Sequence, residues 1–262
     1  MKSLTLAVNG GELECVRFGR GERSLVILPG LSFQRVKSAG LSLAWMYRSF
    51  GKEHTVYVFD KRTRIPDGFT LREMADDQAA AMEQLGLVDA DVFGVSQGGM
   101  IAQYLAINHP QRVRRLALGV TAARVNPVME ETVGNWIAWA EQGDYASIVT
   151  DMMGEKMYSA AYVKKYRWLL PALCKVGRPK DMSRFINMAK ACLTCGTYEE
   201  LHKITCPTLV LGGKEDRVVT GAASEEIAAA LGCDIHMYPG LGHAAYEEAP
   251  DFNQRIKEFF SQ

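Results

Sequence analysis

The chain has 262 residues, 48% of them hydrophobic, enough for one large α/β domain with an insertion and a sizeable buried core. Its 30 Lys and Arg residues balance 30 Asp and Glu, and this neutrality gives no electrostatic reason to expect nucleic acid or an anionic membrane as a partner. No apolar run approaches the span of a bilayer.

The opening Met1-Lys2-Ser3-Leu4-Thr5-Leu6-Ala7-Val8-Asn9-Gly10 lacks the apolar core of a signal peptide. With six cysteines and no secretory segment, the expectation is a cytoplasmic chain with reduced thiols. Residues 4–8 and 12–18 flank Asn9-Gly10, a hairpin signal. Residues 24–28 form a short continuous apolar run before Pro29-Gly30, as in a fully buried strand of a parallel sheet. A helix over 41–50 and a strand over 55–60 follow. Thr70, with Glu73 as its capping-box partner, opens a helix that Gly86 stops. A strand over 92–95, a helix ending near His109-Pro110 and a strand over 113–119 come next. From 122 to 201 the alternation gives way to helices only. It resumes with a strand at 208–211, a helix at 222–231, a strand at 234–238 and a final helix at 246–260. This order predicts a mostly parallel sheet with helices on both faces. Residues 1–121 and 202–262 form its core, and 122–201 is an inserted helical lid over one edge.

Gly94-Val95-Ser96-Gln97-Gly98-Gly99 stands where a strand turns into a helix. Small residues on either side of the serine let the backbone take a strained turn that lifts Oγ above the sheet. The free N–H groups of the following helix point at the same place and favour an anion there. A serine hydroxyl needs a base to take its proton and a third group to orient that base. Asp216, after the 208–211 strand, and His243, after the last strand, lie on loops at the carboxyl ends of strands. Glu215 is the alternative acid. His54, His109, His202 and His236 read as packed or capping residues.

These features together resemble the α/β-hydrolase superfamily, in its lid-bearing branch of esterases, C–C bond hydrolases, haloperoxidases and acyl-transfer relatives. The likeness rests on Leu28-Pro29-Gly30-Leu31, the turn at Ser96, an acid after a late strand and Gly240-Leu241-Gly242-His243. It implies Ser96 as nucleophile, His243 as base and Asp216 as the orienting acid, in preference to Glu215. It also implies an oxyanion hole from the backbone N–H groups of Leu31 and Gln97. No cofactor or metal is expected; Cys192-Leu193-Thr194-Cys195 has redox-motif spacing but reads as core cysteines of the helical region.

Two positions depart from the family pattern. Pro29 replaces the usual histidine of the oxyanion loop, and Asp60-Lys61-Arg62-Thr63-Arg64-Ile65 lacks both glycines of the usual Asp-x-Arg-Gly-x-Gly. The residue after His243 is not the tryptophan typical of the C–C hydrolases. The expected activity is therefore hydrolysis of a small carboxylic ester or thioester through an acyl-enzyme. C–C cleavage or acyl transfer on the same residues is the second reading, and a ligand-binding member of the fold without turnover is the third. Arg35, Lys37, Lys61, Arg62 and Arg64 follow consecutive strands and could rim the entrance, with Arg35, Arg62 and Arg64 as candidates to hold a substrate anion. A solvated surface balanced by Asp67, Glu73, Asp76 and Asp77 is the plainer reading of the same charges. Trp136 and Trp139 are candidate pocket residues, or core of the lid.

Overall fold

The computed structural model describes residues 1–175 and 177–262. The Asn9-Gly10 turn folds β1 (Lys2–Val8) antiparallel onto β2 (Gly11–Gly19), as the hairpin signal predicts. The remaining strands are β3 (Arg23–Leu28), β4 (His54–Arg62), β5 (Ala90–Val95), β6 (Val113–Gly119), β7 (Thr208–Gly213) and β8 (Asp234–Tyr238). They form one sheet in the order β1-β2-β4-β3-β5-β6-β7-β8, parallel from β4 onward, with β2 antiparallel to β4.

Period-two alternation decides what each face buries. In β3, Val26 and Leu28 join the core under α2 (Leu71–Gln84) and α3 (Gln97–Asn108), with Met74, Met82, Ile101 and Leu105. Leu25 and Ile27 face the other way, onto Phe50, Phe252, Ile256 and Phe260. Both faces are dry, which is why the central strands read as continuous apolar runs. Thr70 caps α2 with the expected capping box: its hydroxyl accepts from the Glu73 N–H, and the Glu73 carboxylate accepts from the Thr70 N–H.

Three boundaries differ from the expectation. The helix expected over 41–50 is α1 (Gly40–Met46) followed by a tighter 3₁₀ turn at Arg48–Lys52. The final helix is broken into α10 (Ala245–Glu248) and α11 (Phe252–Ser261). Pro250 holds the residue before it, Ala249, in an extended conformation with ψ 117°. β4 runs two residues past Asp60 and ends at Arg62. That extension puts Lys61 inside the sheet, 4% exposed, rather than on the surface.

Between β6 and β7 lie α4 (Pro127–Glu141), α5 (Tyr145–Thr150), a π turn at Asp151–Lys156, α6 (Ala160–Tyr166), α7 (Leu170–Leu173), α8 (Ser183–Cys192) and a 3₁₀ turn at Tyr198–Lys203. α4 starts as sequence chemistry requires, with the Asn126 side chain accepting from the Met129 N–H and Pro127 in the first turn. One isolated antiparallel bridge, Arg124 to Gly196, closes the base of this helical segment. Among the described residues, no helix is long and apolar enough to cross a membrane.

Candidate active site

Ser96 stands between β5 and α3 with φ 53° and ψ −120°, a conformation that side-chain-bearing residues rarely adopt. Its neighbours make the turn possible. A methyl group at Gly98 would lie 1.8 Å from the Leu28 carbonyl oxygen, and one at Gly94 would lie 2.5 Å from the Gly98 oxygen. Only glycine lets α3 approach β3 and β5 this closely. The Ser96 carbonyl accepts from the Thr121 hydroxyl at 2.7 Å, which pins the turn to the end of β6.

The loops after β7 and β8 bring two distant residues to this serine. Ser96 Oγ lies 2.9 Å from His243 Nε2, and His243 Nδ1 lies 2.8 Å from Asp216 Oδ2. His243 and Asp216 are both buried, at 3% and 7% exposure, whereas Ser96 keeps some access to solvent. The other Asp216 oxygen accepts the backbone N–H groups of Val218 at 2.7 Å and Val219 at 3.0 Å. The carboxylate is thus held on both oxygens, with one edge toward the imidazole. Glu215 is exposed and makes no such contact.

The loop after β3 crosses directly above Ser96: a methyl group on Gly30 would stand 3.2 Å from Ser96 Cβ. Gln97 opens α3, so its N–H has no intrahelical partner. Among the described residues, the Leu31 N–H likewise takes no backbone partner. Neither N–H is therefore committed to another backbone group among the described residues. The Gln97 side chain points away, donating to the Met188 carbonyl of α8 at 2.6 Å and toward Cys192 Sγ at 3.1 Å.

The part of the site that sequence reasoning missed holds the carbonyls of that loop. Lys61 Nζ donates to the carbonyls of Pro29 at 2.5 Å and Gly30 at 2.7 Å. Burial pushes its ammonium pKa down to about 8, against the opposing pull of Asp60. Asp60 is itself a hub. It accepts the N–H groups of Val36 and Lys61, and Arg184 of α8 reaches it at 2.7 Å. Arg184 also donates to the Arg62 and Lys61 carbonyls, and Asn187 donates to the Ile65 carbonyl. The segment that has lost its two glycines is therefore clamped from α8. The available signal was a lysine at the end of an apolar strand, which the expected strand end at Asp60 left outside the sheet.

Of the two readings of the cations after β3 and β4, the contacts favour the plainer one over a rim at the entrance. Arg35 pairs with Glu14 at 3.1 Å, Lys37 donates to the Thr5 hydroxyl, Lys61 points inward, and Arg62 is held by Asp77 and lies over the Phe69 ring. Each side chain finds a nearer acceptor than the mouth of the site. Among these residues only Arg64 is exposed with no ion pair or hydrogen bond. Trp136 is buried, with Nε1 donating to Asp151 at 2.6 Å, and Trp139 is half-buried against the core. The remaining histidines sit apart: His54 is buried on Asp91 at the other end of β4, His109 lies against Asp76, His202 is exposed in the 3₁₀ turn at Tyr198–Lys203, and His236 is edge-on to Tyr238. All six cysteines are free thiols; burial pushes Cys192 and Cys195 up to about 12.

A family model described as the alpha/beta hydrolase fold matches residues 48–250. Among curated relatives, a 2-hydroxymuconate semialdehyde hydrolase of Pseudomonas putida is 24% identical over 220 residues, covering 78% of this chain and 74% of its own. A 3-oxoadipate enol-lactonase of Acinetobacter baylyi is 23% identical over 229 residues, 83% of this chain and 81% of its own. Among solved structures, the enol-lactonase from Burkholderia xenovorans superimposes with a TM-score of 0.84 at 23% identity, over 99% of this chain and 100% of that one. An esterase from Exiguobacterium antarcticum gives 0.84 at 19% identity, covering both chains completely. The matched segment runs from before β4 to past α10 and takes in Ser96, Asp216 and His243, and on that ground the chain belongs to the alpha/beta hydrolase fold family.

Proposed function

We propose that the protein is a serine hydrolase that cleaves a small carboxylic ester or thioester through an acyl-enzyme. The observation that carries this reading is the unbroken pair of hydrogen bonds from Ser96 through His243 to Asp216. In this reading His243 carries its resting proton on Nδ1, donated to Asp216, and accepts the Ser96 proton at Nε2 as Oγ attacks the carbonyl carbon. The resulting oxyanion is met by the N–H groups of Leu31 and Gln97. Imidazolium then protonates the leaving alkoxide or thiolate, and water repeats the cycle to release the acid. A lactone is an internal ester, so the enol-lactonase relatives fall under the same chemistry.

The helical segment 122–201 acts as the lid in this proposal. Support comes from its contacts with the loops around the serine. Phe33, on the loop over Ser96, stacks on Phe185 at 4.0 Å and meets the edge of Tyr145 at 5.0 Å. On the other side, the Met157 carbonyl accepts the N–H of Ala244, next to His243, at 2.7 Å. The test is a fluorophosphonate probe followed by a panel of p-nitrophenyl esters of graded acyl length. Ser96 is expected to be the one strongly labelled residue, and Ser96→Ala to lose both labelling and ester turnover. Equal labelling of the variant would sink the proposal.

A further inference from the structure

Among the described residues, Lys61 is the only lysine that is buried. Removing an ammonium from water is unfavourable, and a neutral side chain or a water could satisfy a stray carbonyl at less expense. What Lys61 holds makes the difference. Its two acceptors are the carbonyls of Pro29 and Gly30, consecutive peptides of the loop that crosses Ser96. In a trans peptide the N–H points opposite to the C=O. Holding the Gly30 carbonyl on Lys61 therefore turns the Leu31 N–H away from Lys61. The same contact polarises the peptide, because a hydrogen bond to its oxygen strengthens its N–H as a donor.

We infer that Lys61 is a positioning residue for acyl chemistry at Ser96: its ammonium orients and polarises the Gly30–Leu31 peptide so that the Leu31 N–H binds the developing oxyanion more tightly than the substrate carbonyl. The inference rests on the hydrolase reading above. The charged and titratable groups facing Lys61 are Asp60 on its own strand and Arg184 and Cys192 on α8. Asp60 attracts the ammonium but also pairs with Arg184, so the one carboxylate is shared by two cations. Cys192 is a neutral thiol at physiological pH, since its pKa is pushed up to about 12. The group therefore keeps one net positive charge at the loop carbonyls, and burial pushes the Lys61 ammonium down to about 8.

The test compares the full chain with Lys61→Met, which keeps the apolar stem of the side chain and removes the ammonium with its two hydrogen bonds. Steady-state kcat and KM for p-nitrophenyl acetate are measured from about pH 6 to about pH 10, beside fluorophosphonate labelling of Ser96. Removing one oxyanion donor outright lowers kcat on the order of 10²–10³-fold, so weakening one should lower it by about 10- to 100-fold with KM within about threefold. Wild-type kcat should step down to a lower plateau as pH rises through about 8, because the neutral amine keeps two N–H bonds for the two carbonyls but loses its charge. Lys61→Met should lack that step. Lys61→Arg, whose guanidinium stays charged across this range, should lack it as well. A Lys61→Met kcat within about twofold of wild type, or the same alkaline step in it, overturns the assignment. If Lys61→Met does not fold, a wild-type profile flat through pH 8 overturns it, and a step that vanishes in Lys61→Arg supports it. Failure of Ser96 to label overturns the hydrolase reading and this inference with it; labelling with unaltered kcat removes only the role of Lys61.

Discussion

Asp216→Asn isolates one hydrogen bond, and the structure dictates which way the new amide faces. In the native protein one carboxylate oxygen accepts from Val218 and Val219 N–H, and the other accepts from His243 Nδ1. The two backbone donors demand an oxygen, so the asparagine NH₂ must take the side toward the imidazole. His243 then accepts at Nδ1 and carries its proton on Nε2, aimed at Ser96 Oγ, and can no longer remove the serine proton. Such a change lowers kcat on the order of 10⁴-fold in a related triad, about 5.5 kcal/mol of transition-state stabilisation. Because both backbone bonds survive, the variant should fold with a Tm close to wild type. Single-turnover release of p-nitrophenol from p-nitrophenyl acetate, run beside circular dichroism, measures both quantities. A folded Asp216→Asn with more than about a tenth of wild-type kcat would refute the reasoning, since one wrong tautomer would then not matter. So would Glu215→Gln causing the loss instead.

Gly98→Ala should destabilise the protein by at least about 3 kcal/mol, because its methyl group would stand 1.8 Å from the Leu28 carbonyl oxygen and neither backbone has room to move. For a chain of this length that is a Tm drop of roughly 6–12 °C, read by differential scanning calorimetry, and an unchanged Tm would contradict the packing argument. A carboxylate-bearing p-nitrophenyl ester should be cleaved with a kcat/KM no more than about twofold above its neutral analogue at low salt, because Arg35 and Arg62 are committed to Glu14 and Asp77. A strong preference for the anion that salt screens and Arg64→Gln removes would show that Arg64 reaches the substrate.

Some of this protein is written in short stretches of sequence. The Asn9-Gly10 hairpin, the Thr70 cap with Glu73 and the glycine-flanked serine turn are decided by residues within a few positions of one another. Local sterics and local hydrogen bonds settle them, so they are legible before any fold is known. Pro250 carried an equally local signal, and its break in the final helix follows from the geometry of the residue before it. The order of Ser96, Asp216 and His243 could be read along the chain through the family resemblance. Their approach to within hydrogen-bond distance depends on the parallel sheet, which carries the loops of β5, β7 and β8 to one edge. The direction of Lys61 lay beyond reach of the sequence. It turns on two additional residues of β4, and in a strand each residue reverses the face on which the next side chain falls. The partners of the surface arginines were equally hidden. Arg184 finds Asp60 across 124 positions and Arg35, on the loop after β3, finds Glu14 on β2, pairings that charge counting along a chain cannot supply because only the folded backbone sets which acceptor is nearest.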